Sequence, residues 1–333
     1  MVKIAVIIPV YNTAKQLRGC IDSLLNQSVA SDIVIILVDD GSNDNSGEIC
    51  DQYASEHDNI YVLHKQNGGA ASARNTGIDF AFENCDFDYI AFVDSDDIVH
   101  PQMYEKLMDL MLRNDADVAS CKYQFISEDD SVEFEKLDCV EENEIFFGRE
   151  TLEKFTSICG SVSIISPCMR LCKKELFEDL RFLEGYIEED SMLLPYLLEK
   201  INKWVRTDAV MYFWLEREKS VSRTLFNPKT FDYVMVSYVR ATFFEKKCMP
   251  KMKKHFYKEF MNRTVEYYCN ARYYGIEKEF AKYRKLYNKD WLKFYFRSGF
   301  CFNEYLIHLL FRLHIPYAEK LYKNLNPDWV RER

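Results

Sequence analysis

None of the eleven cysteines in this 333-residue chain has the C-x-x-C spacing, so neither a zinc ribbon nor a dithiol redox pair is expected. Their odd number and scatter, from Cys20 to Cys301, fit reduced, mostly buried thiols in a cytosolic protein rather than a disulfide frame. No uncharged apolar run is long enough to span a bilayer. The opening MVKIAVIIPVYN is short and lacks a small-residue cleavage site, so it reads as a first strand. Neither G-x-x-x-x-G-K-[ST] nor G-x-G-x-x-G occurs, which sets aside a P-loop and a Rossmann dinucleotide site. Positive charge is not in surplus either, since the net charge is −10 and the pI about 5.3. That balance argues against general nucleic-acid binding. Internal repeats and low-complexity linkers are also missing.

What is present is 48% hydrophobic residues, enough for one large domain with an appendage or for two ordinary domains. Charge is unevenly spread. Residues 235–333 hold 21 Lys and Arg against 10 Asp and Glu, whereas the first 234 hold 22 against 43. The last 99 residues also contain 24 of the 50 aromatics. Two regions in different surroundings are therefore expected, divided as 1–228 and 229–333.

Along the first hundred residues, buried-strand patterns alternate with helical ones. KIAVIIPVYN (3–12) is crowded with β-branched residues and stops at a polar turn. KQLRGCIDSLLNQS places Leu17, Cys20, Ile21, Leu24 and Leu25 at helical spacing. A strand at 33–38, a helix at 46–56, a strand at 60–65, a small-residue helix after NGG and a strand in YIAFVDSDD follow. This predicts an α/β fold with a doubly wound, mostly parallel central sheet and flanking helices. Ligands of such sheets lie beyond the carboxyl ends of the strands. Polar clusters fall at those ends: Tyr11/Asn12, Asp39/Asp40, Lys65/Gln66/Asn67 and Asp94/Asp96/Asp97.

Further on, a helix is expected after Pro101, a strand in ADVASCKYQFI, and a solvated loop or edge hairpin in the acidic stretch 127–144. Partly helical structure is expected across 149–200 and a strand at 208–215. Beyond about residue 230 the pattern is wholly helical, giving a mainly α-helical C-terminal extension.

Three carboxylates in Asp94-Ser95-Asp96-Asp97 repel one another unless a cation or protons relieve them. Hard divalent ions take oxygen ligands and share them with substrate phosphates, so Mn²⁺ or Mg²⁺ on a diphosphate accounts for the cluster. Asp44 and Ser46 read as a turn capping the next helix. Asp40 exceeds what that turn requires and suits a uracil N3–H or a ribose hydroxyl. In NGGAASARNTG, small residues let a helix approach the sheet and let backbone N–H groups face a ligand. Arg74 there either holds a diphosphate or braces the loop.

Four segments, VIIPVYNTAKQLRGCIDSLLNQS, ILVDDGSNDNS, NGGAASARNTGI and YIAFVDSDDIVHP, in this order and spacing resemble family 2 glycosyltransferases of the GT-A fold. The likeness continues more weakly to about residue 224. It implies an inverting, hexosyltransferase-type reaction with a nucleotide-sugar donor, usually a UDP-sugar, and bound Mn²⁺ or Mg²⁺. By that resemblance Pro9, Val10 and Tyr11 frame the base, Asp40 recognises it, and Asn67, Gly69, Arg74 and Ser95 join the donor site. Asp94 faces the ribose and sugar and shares the metal with Asp96. GYIEEDSMLL would supply the catalytic base, Asp190, with Glu189 as the alternative or as an orienting partner. YFWLEREKSVS resembles a Tyr-x-Tyr-x-x-Arg-x-x-Ser segment and would bring Arg217 and Ser220 over the diphosphate. Trp214 replaces the second Tyr, and Arg170 stands where relatives often carry Lys. Both departures point toward the acceptor.

The resemblance implies a cytoplasmic enzyme extending a bacterial-type surface polysaccharide on a polyprenyl-linked saccharide acceptor. Lys and Arg interleaved with aromatics beyond residue 229 would either lie on anionic lipid at the inner face of the membrane or pack as core. No nucleic-acid partner is expected. A nucleotidyltransferase, or a non-catalytic sugar-nucleotide-binding subunit, is the competing reading.

Overall fold

A computed structural model describes residues 3–127, 132–216, 228–314 and 317–325. The apolar runs of the amino-terminal region leave no polar face to show water, so their strands lie inside a layered fold. Strand β1 (Ile4–Val10) pairs in parallel with β2 (Ile33–Asp39) and with β4 (Tyr89–Phe92). Strand β3 (Ile60–His64) extends the parallel array beyond β2. Helices α1 (Leu17–Leu25), α2 (Ser46–Glu56) and α3 (Ala70–Asn84) make the crossovers. On α1, Leu17, Cys20, Ile21 and Leu24 are buried, the stripe that the spacing predicts.

Past β4 the sheet becomes mixed. The short β5 (Ile98–Val99) and helix α4 (Met103–Asn114) precede β6 (Val118–Ser127) and β7 (Glu144–Phe147). Helices α5 (Gly148–Glu153), α6 (Phe155–Ile158) and α7 (Val162–Ile165) lead into β8 (Arg170–Lys173). Helix α8 (Glu189–Lys200) and the long β9 (Lys203–Glu216) complete the region. Strand order is β3-β2-β1-β4-β8-β6-β9-β5, with β7 on β9. β8 runs antiparallel to both β4 and β6, while β6 and β9 are parallel. Residues 149–200 are partly helical as expected, and CMRLCK adds a strand among the helices. Its extended conformation is held from both sides by ladders to distant residues. In the acidic stretch, 132–143 are irregular and β7 begins at Glu144.

The chain divides into two compact units, Met1–Ser220 and Val221–Arg333. In the second, helices α9 (Asp232–Lys246), α10 (Pro250–Tyr273), α11 (Ala281–Tyr295), α12 (Phe302–Arg312) and α13 (Tyr317–Leu325) pack around aromatic side chains. Phe244 stacks on Phe256 at 5.3 Å and Tyr257 meets Phe294 at 4.3 Å. Many aromatics of this region are therefore core. No described helix is long and apolar enough to cross a membrane.

Candidate active site

The first four strands end on one edge, and the segments that follow them are stitched together there by short polar side chains. After β1, Asn12 takes a positive φ of 52°. Its N–H donates to Ser42 Oγ (3.1 Å), and its Oδ1 accepts from Asn43 N (2.8 Å). Thr13 N donates to Ser46 Oγ (2.9 Å). Asp44 accepts from Ser46 N (3.0 Å) and Ala14 N (3.1 Å), which is the work of a turn. Pro9 is half-buried, Val10 is buried and Tyr11 is 46% exposed at this edge.

At the end of β2 the two aspartates diverge. Burial works to raise the Asp39 carboxyl, yet hydrogen bonds from Ser42 and the His64 ring outweigh it and hold it low. His64 Nδ1 lies 2.9 Å from Asp39 and Nε2 lies 3.0 Å from Asp51. The hydrogen bond to Asp39, then that to Asp51, raises the His64 pKa. Asp40 is only 2% exposed. It accepts from Lys65 Nζ (2.7 Å), Gly68 N (2.9 Å) and Gly69 N (2.7 Å). Its carboxylate thus clamps the glycine turn to the end of β2. Gly69, at φ 87°, starts α3 from the left-handed region that suits glycine. Asn67 is exposed beside it.

The carboxylates after β4 each find a different environment. Asp94, its side chain 36% exposed, accepts from Arg74 Nη2 at 2.8 Å. The other Arg74 amine, Nη1, pairs with Glu189. One buried guanidinium therefore joins the acidic loop to the first turn of α8, and Phe182 covers it at 5.4 Å. Ser95 is buried and accepts from Thr13 Oγ1 at 3.0 Å. Asp96 is half-buried. Asp97 is withdrawn from the edge at 1% exposure, accepting from Tyr212 Oη (2.5 Å) and Leu215 N (3.0 Å). Burial, then the charges of Asp94 and Asp96, pushes its pKa well up. Tyr212 Oη also accepts from Asp94 N at 3.3 Å, tying β9 to the loop.

At α8, burial pushes the Glu189 carboxyl up to about 7, against the pull of Arg74. Asp190 is half-buried and its carboxyl accepts from Ser191 N at 2.6 Å. Burial raises its pKa as well, and the Asp94 charge adds to this while Arg74 and Arg170 oppose it. It borders a small apolar cavity lined by Phe92, Phe182, Leu193 and Leu194. Arg170 is buried in the structure's own service. Its Nη2 donates to the carbonyls of Ile164 (2.8 Å) and Ile165 (3.0 Å), and its guanidinium lies 4.8 Å from the Trp204 ring centroid.

The structure thus gathers Asp94, Arg74, Glu189 and Asp190 into one cluster, with Ser95 and Asp96 on the same loop. Asp40, Gly69 and Asn67 form a neighbouring group at the ends of β2 and β3. Arg217 and Ser220 lie outside the described residues. Sequence reasoning placed Tyr212 only as the first tyrosine of YFWLEREKSVS and Thr13 only within VIIPVYNTAKQ, and gave neither side chain a role of its own.

Asp94 and Asp96 offer carboxylate oxygens, the donor type preferred by Mg²⁺ and Mn²⁺. Among the described residues no group of three or more His, Cys, Asp or Glu forms a protein-only cage. Two carboxylates would leave most of such an ion's oxygen ligands to be supplied from elsewhere.

Three comparisons bear on this geometry. The profile described as Glycosyl transferase family 2 matches residues 5–181. The chain is 39% identical over 234 residues to the glycosyltransferase GlyG of Streptococcus pneumoniae, covering 67% of this chain and 74% of that one. It is 29% identical over 223 residues to the minor teichoic acid biosynthesis protein GgaB of Bacillus subtilis, covering 66% of this chain but 23% of that longer one. In fold it resembles residues 1–349 of S. aureus TarS, solved in complex with UDP-GlcNAc, with a TM-score of 0.66 and 18% identity. That likeness covers 99% of this chain and 93% of the other.

Proposed function

The chain belongs to glycosyl transferase family 2, and from that premise we propose that it moves a hexose from a UDP-sugar to a saccharide hydroxyl, inverting the anomeric centre. The observation that carries this is the Arg74 bridge between Asp94 and Glu189, which sets the acidic loop after β4 beside two carboxyls of raised pKa. The donor class draws support from the UDP-GlcNAc complex of TarS.

Asp190 acts as the general base. A carboxylate whose pKa is raised toward neutrality accepts a hydroxyl proton better than an ordinary one. As it takes that proton, the acceptor oxygen bonds to the anomeric carbon and the bond to the diphosphate breaks, releasing UDP. Glu189, held by Arg74, keeps the first turn of α8 against the loop and so orients Asp190. Asp94 and Asp96 would hold a divalent cation, which when bound supplies electrostatic stabilisation of the departing diphosphate. Tyr11, exposed at the end of β1, offers a ring face for the base, with Pro9 and Val10 behind it. Asp40 shapes the base site through the glycine turn it clamps.

The acceptor is a growing surface polysaccharide or teichoic-acid-type chain, a reading supported by GgaB's role in minor teichoic acid biosynthesis. We place the enzyme at the cytoplasmic face of the membrane, where a polyprenyl-linked acceptor would be met. Calorimetric titration with UDP and UDP-sugars, in Mn²⁺ and in EDTA, tests the donor. Binding is expected in metal and lost in chelator. Asp190→Asn is expected to keep that binding while turnover falls roughly 10²- to 10⁴-fold. A wild-type protein that ignores every uridine ligand would refute the donor, and near-normal turnover in the variant would move the base elsewhere.

A further inference from the structure

Strands β6 and β9 run past the rest of the sheet, and their extension carries an aromatic surface that the donor chemistry leaves unused. Tyr123 pairs with Tyr212 and Phe125 with Trp214 in the parallel register. These positions share one face, because side chains alternate along each strand. The opposite face is accounted for: Ile126, Phe213 and Leu215 form a small core cluster there. On the first face Tyr123, Phe125 and Trp214 touch one another, with ring centroids 5.2, 5.8 and 5.5 Å apart. Phe125 is nonetheless 50% exposed, and the other two are half-buried. Three mutually supported rings that remain partly exposed are more than packing requires.

Position says what the rings face. Tyr212, two residues before Trp214 and on the same side, reaches Asp97 Oδ2 and accepts from Asp94 N. Two residues of strand span about 7 Å, so the rings stand about that far along β9 from the buried Tyr212 that holds the acidic loop. A pyranose ring presents a face of C–H bonds, and these lie favourably on the electron-rich face of an aromatic ring. Tyr123 adds a hydroxyl that can pair with those at the sugar's rim.

We propose that Tyr123, Phe125 and Trp214 form the acceptor platform, stacking a pyranose ring of the saccharide that receives the transferred sugar. This rests on the glycosyltransferase reading and deepens it by assigning a subsite to the second substrate.

The full chain is to be examined by saturation-transfer NMR with glucose, galactose, N-acetylglucosamine and their β-linked disaccharides, with and without UDP. Wild type is expected to transfer saturation to one face of at least one saccharide. Trp214→Ala and Phe125→Ser are each expected to weaken that binding about tenfold or more, the usual consequence of removing an aromatic anchor, while Trp214→Tyr retains most of it. UDP affinity, measured calorimetrically, should change by no more than about twofold, confirming that the variants fold. Absence of binding to every saccharide by wild type would overturn the platform, as would equal binding by Trp214→Ala. So would loss of self-association in Trp214→Ala with no change toward saccharides, since a second copy would then be the occupant. Saccharide binding that follows the rings in a protein blind to UDP would sink the donor assignment and leave the platform standing.

Discussion

Arg74 lets two carboxylates lie close together at the mouth of the site, because one planar guanidinium serves each through a separate amine. Asp97 escapes the same repulsion differently, taking hydrogen bonds from Tyr212 and Leu215 in a setting that favours its neutral form. Between Asp39 and Asp51, His64 makes the region's acid–base pairing sensitive to pH. Its folded pKa is raised, so the stability it contributes is complete below the unfolded value of about 6.5 and lost as pH rises through the folded value. The Asp39 pKa is lowered, so its contribution holds above the unfolded value of about 3.9 and is lost as pH falls through the folded one. Urea midpoints should therefore fall in wild type between pH 6 and pH 9 more than in His64→Gln. Parallel curves for the two proteins would mean that the ring stays neutral or unpaired. Neither that pair nor the Arg74 bridge is written in any local pattern. His64 and Asp39 are separated by 25 residues and Arg74 and Glu189 by 115, and only the folded sheet brings them together.

Helix α3 shows why small residues follow the glycine turn. A Cβ on Gly77 would stand 2.4 Å from Ile7 Cγ2 and 3.3 Å from Val38 Cγ2, inside the layer between helix and sheet. Ile7 is β-branched and buried within β1, so its methyl has little room to turn away. Gly77→Ala is expected to destabilise by about 1–3 kcal/mol from overpacking, less about 1 kcal/mol of helix propensity. Gly19 on α1 is the control, since nothing lies within 4 Å of its added Cβ. There Ala should stabilise by about 0.5–1 kcal/mol. Denaturant titration separates the two, and stabilisation in both would mean that helix propensity, not packing, governs α3. The close approach was legible in AASARNTG, as were β1, β2 and β4, because burial on both faces leaves near-continuous apolar runs, while β3 showed by its β-branched and aromatic IYVLH. β5 and β8 were not, since neither stands in a long apolar run and both owe their conformation to partners far along the chain.

On the scale of the whole molecule, the sign of charge divides the chain more sharply than its fold does. With a net charge of −10 the protein as a whole should be repelled by anionic lipid, so any attraction must come locally from the basic residues beyond 235. Helix α11 carries the means on one stripe: Lys285, Lys289 and Leu292 are exposed and Phe296 continues the same face just past its end. On α12, Phe302 and Leu309 likewise share an outward face with Leu313 just past its end, at 80%, 37% and 59% exposure. Apolar side chains flanked by lysine suit the boundary between headgroups and acyl chains. Each basic residue near an anionic surface contributes about 1 kcal/mol, reduced as salt shortens the screening length. Co-sedimentation with phosphatidylglycerol-containing vesicles should therefore succeed at low salt and weaken steadily as salt rises, while phosphatidylcholine vesicles retain little. Leu292→Ser with Phe296→Ser should weaken binding even at low salt, because charge alone does not replace the buried apolar area. Equal retention by both lipids would remove the electrostatic part of the assignment. No retention by either would leave the stripe on α11 without a membrane role.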